Sequence, residues 1–537
     1  MSEFRVLFVY PNQRAESLVP PAIATFSRLL KDRGIKVGLF DSSYYDIDAD
    51  DYVPNPRGTS SELAQSELLH ARPFESRAES YKKHTDAIGN LVSMVDDFSP
   101  DLIAMTTTES TYLLGMHLLK SIRHTGIPVV VGGVFCTFAP QRAIEFPEVD
   151  MVCVGEGENA IVDLCEKMRA GEDYSRVTNL WVKKKNGDIV RNSVTKPVDV
   201  NTVPMQDMEI FDEDRFYRPM YGQIYKMIPV ETHRGCPYTC SFCNSPSQNS
   251  LYSEMTGSSF FRKRSIENVR EDLLYFRDVV GGEYIYFWAD TFFAYSNREF
   301  DEFCEMYQDI GLPFWCQTRP ETVTRDKIKK LKDVGLHLIA FGMEHGNEQF
   351  RAEVVQRKYS NDLAIKAMHI PHEFGVPFSV NNIIGFPDET RELSFDTIRI
   401  NKAANPDQMS CSILQAYAGT NLNKVAIDKG YLDPEAFCPA NSDDTLMTMP
   451  SYSRDEMKGL RRTFAMYVKF PESRWPEIAH AEKLTPEGDA AWAELAAEFS
   501  DTFFKTPDTD ITRQGNPQAD DSADRIREGA VSSMKAS

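Results

Sequence analysis

The sequence has no run of eighteen consecutive apolar residues, so it offers no membrane-spanning helix. It also lacks a basic surplus. Its 59 Lys and Arg stand against 80 Asp and Glu, a formal charge of −21, which leaves no electrostatic footprint for a nucleic-acid backbone or an anionic membrane. The opening MSEFRVLFVYPN has too short an apolar run for a secretory signal and no small-residue cleavage site after it, so the expected location is the cytoplasm. Ten cysteines scattered over 537 residues do not form the dense framework of a small disulfide-stapled protein. What the chain does have is core material: 42% hydrophobic residues and 33 Phe can pack the roughly three domains this length suggests.

Over residues 1–178, apolar strand-like runs alternate with helical patterns, the signature of a parallel sheet covered by helices. Arg5–Pro11, Ile35–Asp41, Asp101–Thr108, Ile127–Gly133 and Val149–Glu158 predict five strands, with a helix over Ala22–Gly34. A Rossmann-like domain follows, its ligand edge at the carboxyl ends of the strands. The dinucleotide fingerprint G-x-G-x-x-G is missing from YPNQRAES after the first strand, which argues against NAD. Ser42–Ala78, rich in Asp, Ser, Pro and Tyr, reads as a partly ordered insertion. LWVKKKNGDIVRN, with its Asn186-Gly187 turn, predicts a hairpin within a linker over 179–227.

A second alternation starts at Ile228. Strands are expected in IPVETH, Glu283–Asp290, Pro313–Arg319, His337–Glu344, Val376–Phe386 and Met409–Tyr417, with helices between them such as the one capped by Thr324 and stopped by Gly335. Six units over 228–430 make a partial (β/α)6 barrel, open on one side, with active residues at the strand carboxyl ends. Residues 431–504 read as mostly helical and 505–537 as a disordered tail. Phe464, Tyr467 and Trp475 belong either to the core or to a wall over the open side of the barrel.

Cys236, Cys240 and Cys243 fall in HRGCPYTCSFCNS, just after the first strand of that barrel. Structural zinc is usually closed by four protein ligands, and no fourth follows Cys243 at short spacing. Three thiolates in one loop suit a 4Fe-4S cluster with one iron left open, and zinc stays the alternative. This C-x-x-x-C-x-x-C spacing, with Phe242 before the last cysteine, resembles the radical S-adenosylmethionine (SAM) superfamily over roughly Ile228–Gly430. The resemblance implies that the open iron chelates SAM, and that one electron from a donor such as flavodoxin or ferredoxin cleaves it to methionine and a 5'-deoxyadenosyl radical. It further implies SAM contacts from Phe242 to adenine, Asp290 to the amino group, Arg319 to the carboxylate, Glu344 to the ribose and Gly385 of IIGFPDE to adenine. Each also has an ordinary alternative as a helix cap, a surface charge or a turn.

The segment VVVGGVFCTFAPQRAIEFPEVDMVCVGEGENAIVDL, Val129–Leu164, resembles the cobalamin-binding domain of cobalamin-dependent radical SAM enzymes. By that resemblance Gly132, Gly133, Gly155 and Glu156 approach cobalamin, and Thr107 and Thr108 help hold its nucleotide tail; tight turns and helix capping are the alternatives. D-x-H-x-x-G, which places a histidine beneath cobalt in many such domains, is absent from PNQRAES, so no imidazole ligand is expected from this loop. The implied activity is methyl transfer to an unactivated carbon or phosphorus centre of a small-molecule or lipid-like substrate, with no catalytic side chain assigned beyond the cofactors. An oxidative cyclase and a non-catalytic cobalamin sensor are the rivals.

Overall fold

The computed structural model describes residues 3–12, 18–47, 60–440 and 444–504, so the expected tail at 505–537 lies outside the described residues. Strands β1 (Arg5–Tyr10), β2 (Lys36–Asp41), β3 (Leu102–Thr106), β4 (Val129–Gly132) and β5 (Met151–Cys153) form a parallel sheet in the order β2-β1-β3-β4-β5. Their unbroken apolar runs follow from burial on both faces. Along β1, Val6 and Phe8 enter one core cluster while Leu7 and Val9 enter another.

One expectation is corrected. The hairpin of β6 (Leu180–Lys183) and β7 (Ile189–Arg191) is not a free connection: β6 pairs antiparallel with β5, and the sheet continues to seven strands. Leu180 and Val182 are buried, so the hairpin covers what would otherwise be an exposed edge of β5.

The second sheet runs β16-β15-β14-β13-β12-β9-β8. The antiparallel pair β8 (Tyr217–Met220) and β9 (Gln223–Val230) forms one edge, and the short ribbon of β10 (His233–Arg234) and β11 (Arg262–Lys263) stands beside it. Parallel strands β12 (Tyr284–Phe287), β13 (Phe314–Thr318), β14 (Leu336–Glu344), β15 (Phe378–Ile384) and β16 (Gln408–Ile413) complete, with β9, the six expected units. Alternation sorts the faces. Ile285, Phe287, Phe314 and Phe341 pack in the core beneath the helices, whereas Tyr284, Trp315, Leu338 and Ala340 gather with Met227 and with Leu18 of the first domain. Tyr221, in the β8–β9 turn, donates to Asp407 just before β16 at 3.3 Å, so the sheet curls far enough to bring its two edges together at this end.

Helix Arg454–Lys469 packs with Phe395, Ile398, Met409 and Cys411. These belong to β16 and to the helix joining β15 to β16, so Phe464 and Tyr467 are core residues on the outer side and do not wall the opening. Trp475 joins the same cluster, its ring 5.7 Å from Tyr467. No described helix is long and apolar enough to cross a membrane.

Candidate functional site

The carboxyl edges of the two sheets meet. After β3, Glu109 accepts from Ala418 N at 2.8 Å and Cys438 N at 2.9 Å, both beyond the end of β16, and burial raises its carboxyl. Phe437 stacks on Tyr112 with centroids 5.8 Å apart, and Gly419 sits so close to Phe138 that a Cβ would approach its ring to 2.1 Å. After β5, Tyr252 reaches in from helix Ser245–Thr256, which follows the cysteine loop, and its hydroxyl accepts from Glu156 N at 2.7 Å.

Between these contacts lies a cavity of about 280 Å³. Its floor is apolar, with Phe8, Ala104, Val130 and Leu164, and Gly132, Gly133 and Gly155 line its rim. Glu231, Arg234 and Phe260 of the second domain close it. Of the residues expected near cobalamin, these three glycines and Glu156 line this cavity, whereas Thr107 and Thr108 do not and the preceding Thr106 does. Thr107 and Thr108 hydrogen-bond with Thr111, and Thr108 caps helix Glu109–Ile122. The Glu156 carboxylate is engaged by Arg234 at 2.8 Å and Arg262 at 2.6 Å, so it meets the cavity as part of an ion-pair network rather than as a free carboxylate.

Cys236 and Cys240 are buried and Cys243 is half-buried. Burial pushes the Cys236 thiol up to about 12 and that of Cys243 to about 11, so a cation must replace the proton if either is to act as a thiolate here. Donors surround the sulfurs. Arg357 Nε lies 3.2 Å and Arg319 Nη1 3.7 Å from Cys240 Sγ, and Ser245 N lies 3.4 Å from Cys243 Sγ. Among the described residues no three His, Cys, Asp or Glu side chains converge as they would around a single ion. A cubane's thiolates bind separate irons and need no such convergence, so this donor-rich loop fits a cluster.

Of the positions expected to contact SAM, Phe242 lies within this loop, and Asp290, Arg319 and Glu344 connect to it directly or through Ser245 and Arg357. Asp290 accepts from Ser245 Oγ at 2.7 Å; its side chain is open to solvent, yet the surrounding protein raises its carboxyl. Glu344 is buried, its carboxyl raised by burial against the opposing pull of Arg357 and Arg319, and Arg357 Nη2 meets it at 3.1 Å. Its backbone φ of +65° is a strained value for a side chain of this size, at a register shift of β14. Phe242 packs edge-on to Phe386 and lies under Arg357. Arg319 is stacked 3.9 Å from the Tyr238 ring and paired with Glu321 at 2.5 Å, leaving its buried Nε unpartnered. Gly385, at φ +82°, adjoins Met457 Sδ, where a Cβ would come within 2.6 Å.

Sequence reasoning missed Arg357, Arg262, Tyr252 and Glu389. Glu389 closes the IIGFPDE turn by accepting from Phe386 N at 2.9 Å and lies 3.3 Å from His345, the residue after Glu344. Arg234 stood inside the cysteine motif; a guanidinium two residues before a thiol was the available signal.

Residues 230–397 match the model of the Radical SAM superfamily, and residues 82–165 match that of the B12 binding domain. The chain thus carries a radical SAM domain and a B12-binding domain. Its cofactors are accordingly a 4Fe-4S cluster, SAM and cobalamin. An uncharacterized methyltransferase of Pyrococcus horikoshii is 27% identical over 387 residues, 71% of this chain and 81% of that protein. The anaerobic magnesium-protoporphyrin IX monomethyl ester cyclase of Rubrivivax gelatinosus is 24% identical over 389 residues, 70% of this chain and 66% of the cyclase. In fold, the chain resembles the cobalamin-dependent radical enzyme OxsB, solved with aqua-cobalamin and SAM bound, at a TM-score of 0.63 and 16% identity, covering 93% of this chain and 72% of OxsB.

Proposed function

We propose that this radical SAM protein is a cobalamin-dependent methyltransferase acting on an unactivated carbon or phosphorus centre of a small-molecule or lipid-like substrate. The observation that carries this reading is the shared wall. The cavity at the edge of the B12-binding sheet is closed by Glu231, Arg234 and Phe260, which flank the cysteine loop in sequence or in the adjoining ribbon.

When bound, cobalamin and SAM supply the methyl carrier and the radical source, while the chain binds, orients and keeps out water. Cys236, Cys240 and Cys243 hold the cluster, and Arg357 and Arg319 set the electrostatics around Cys240. Asp290 offers an acceptor to the SAM amino group and Glu344 to the ribose hydroxyls, with Phe242 and Gly385 beside the adenine. Arg319, already paired with Glu321, presents its unpartnered Nε rather than a free guanidinium to the SAM carboxylate. An external one-electron donor of the flavodoxin or ferredoxin kind is required.

The cyclase reading draws on the Rubrivivax gelatinosus relative. Incubation of the reduced, reconstituted protein with SAM and cell extract separates the two. S-adenosylhomocysteine formed together with 5'-deoxyadenosine supports methyl transfer, whereas 5'-deoxyadenosine alone supports cyclisation.

A further inference from the structure

Every polar atom of Glu156 is engaged, and most of its partners belong to the segments that carry or flank the cysteines. Its carboxylate binds Arg234, two residues before Cys236, and Arg262 on the ribbon strand paired with Arg234. Its other carboxylate oxygen accepts from Val198 N at 2.8 Å, and its carbonyl accepts from Asn179 Nδ2 at 2.9 Å. Its amide donates to Tyr252, nine residues after Cys243. Arg234 also binds Glu158 at 2.6 Å and Glu231 at 3.0 Å, so three carboxylates and two guanidiniums share one largely buried site.

A second route runs through Phe260. This cavity-wall residue stacks on Tyr252 with centroids 5.2 Å apart, and it leaves room for no side chain at Gly235, where a Cβ would touch its ring at 2.7 Å. Asn249, on the same helix as Tyr252, accepts from Phe260 N at 3.0 Å and donates to the Cys236 carbonyl at 3.0 Å. The cavity wall and the cysteine loop are therefore joined on both sides of the cysteines by hydrogen bonds and close packing.

We infer that Tyr252 and Asn249 are positioning residues that tie the cysteine loop to the wall of the cobalamin cavity, so that filling the cavity and binding SAM at the cluster are thermodynamically coupled. The inference rests on the cofactor assignment above. Neither residue lines the cavity, so each can be changed without removing a wall contact. A ligand in the cavity meets Arg234 and Phe260 directly, and these fix Gly235 and the Cys236 carbonyl through the contacts just described. Coupling of this kind is reciprocal, whichever ligand binds first.

The test uses full-length protein with its cluster reconstituted anaerobically, with hydroxocobalamin as the probe. Iron content and cobalamin uptake are measured first. The SAM dissociation constant is then read from the change in the electron paramagnetic resonance spectrum of the reduced cluster, with and without hydroxocobalamin. In the wild type, cobalamin should tighten SAM binding by at least about fivefold, the low end of typical coupling. Tyr252→Phe, which removes one hydroxyl, and Asn249→Ala should bring that factor toward one while retaining iron and cobalamin. A wild-type factor of one, or variants that keep the wild-type factor, would overturn the inference alone. A wild type that takes up no cobalamin would overturn the cofactor assignment and this inference with it.

Discussion

Gly133 lies so close to Thr107 that a Cβ on the glycine would stand 2.0 Å from the Thr107 carbonyl oxygen. With φ +115° and ψ −177°, Gly133 occupies a backbone region essentially reserved for glycine. The sequence suggests that this glycine clears space for a ligand, but the structure shows that it first clears space for the neighbouring strand end. Gly133→Ala should therefore destabilise the protein even without cobalamin, by at least about 1–3 kcal/mol from backbone strain alone. Urea denaturation of cobalamin-free protein checks this. Unchanged stability with lost cobalamin uptake would assign the glycine to the ligand instead.

Arg357 joins Glu344 to Cys240 within a site where all three side chains are nearly out of reach of water. Arg357→Met leaves the Glu344 carboxylate without its nearest cation, and breaking such a pair costs roughly 3–5 kcal/mol. Adding Glu344→Gln should recover part of that loss, because it removes the stranded charge. A double-mutant cycle by denaturation measures the recovery, and strict additivity would show that the two side chains are energetically independent.

His70 is buried, its Nε2 has no hydrogen-bond partner, and Arg461 is nearby; burial first and that charge second depress its pKa from 6.5 to about 3. The unfolded chain takes up this proton near pH 6.5 and the folded chain does not until about pH 3, so stability is lost as pH falls through that window. Between pH 6.5 and 5 the loss from this residue is about 2 kcal/mol. Denaturation of His70→Leu at pH 7 and pH 5 should show a smaller acid-induced loss than the wild type by that amount. Equal losses would show that His70 protonates freely in the folded state.

The strands were legible because parallel strands buried on both faces are written as continuous apolar runs, as in RVLFVY and LHLIAFGME. Local capping was legible too: Thr324 accepts from Lys327 N and Gly335 ends that helix. The cysteine loop could be read because its ligands are close in sequence. Contacts set by tertiary pairing could not. Glu156 meets Arg234 and Arg262 from 78 and 106 residues away, and Arg357 meets Cys240 from 117, spacings that carry no local pattern. The β6–β7 hairpin was recognisable from its Asn186-Gly187 turn, but its pairing with β5 depends on which sheet edge is free once the chain has folded.

If the two carboxyl edges bring cobalamin and the cluster to one reaction centre, their unpaired spins interact, and magnetic resonance reads that interaction. Protein carrying both Co(II) cobalamin and the one-electron-reduced cluster should be compared by electron paramagnetic resonance with samples in which only one of the two is paramagnetic. The expected result is dipolar broadening or splitting that appears only when both spins are present. A spectrum equal to the plain sum of the two isolated signals, with both cofactors bound at full occupancy, would contradict it.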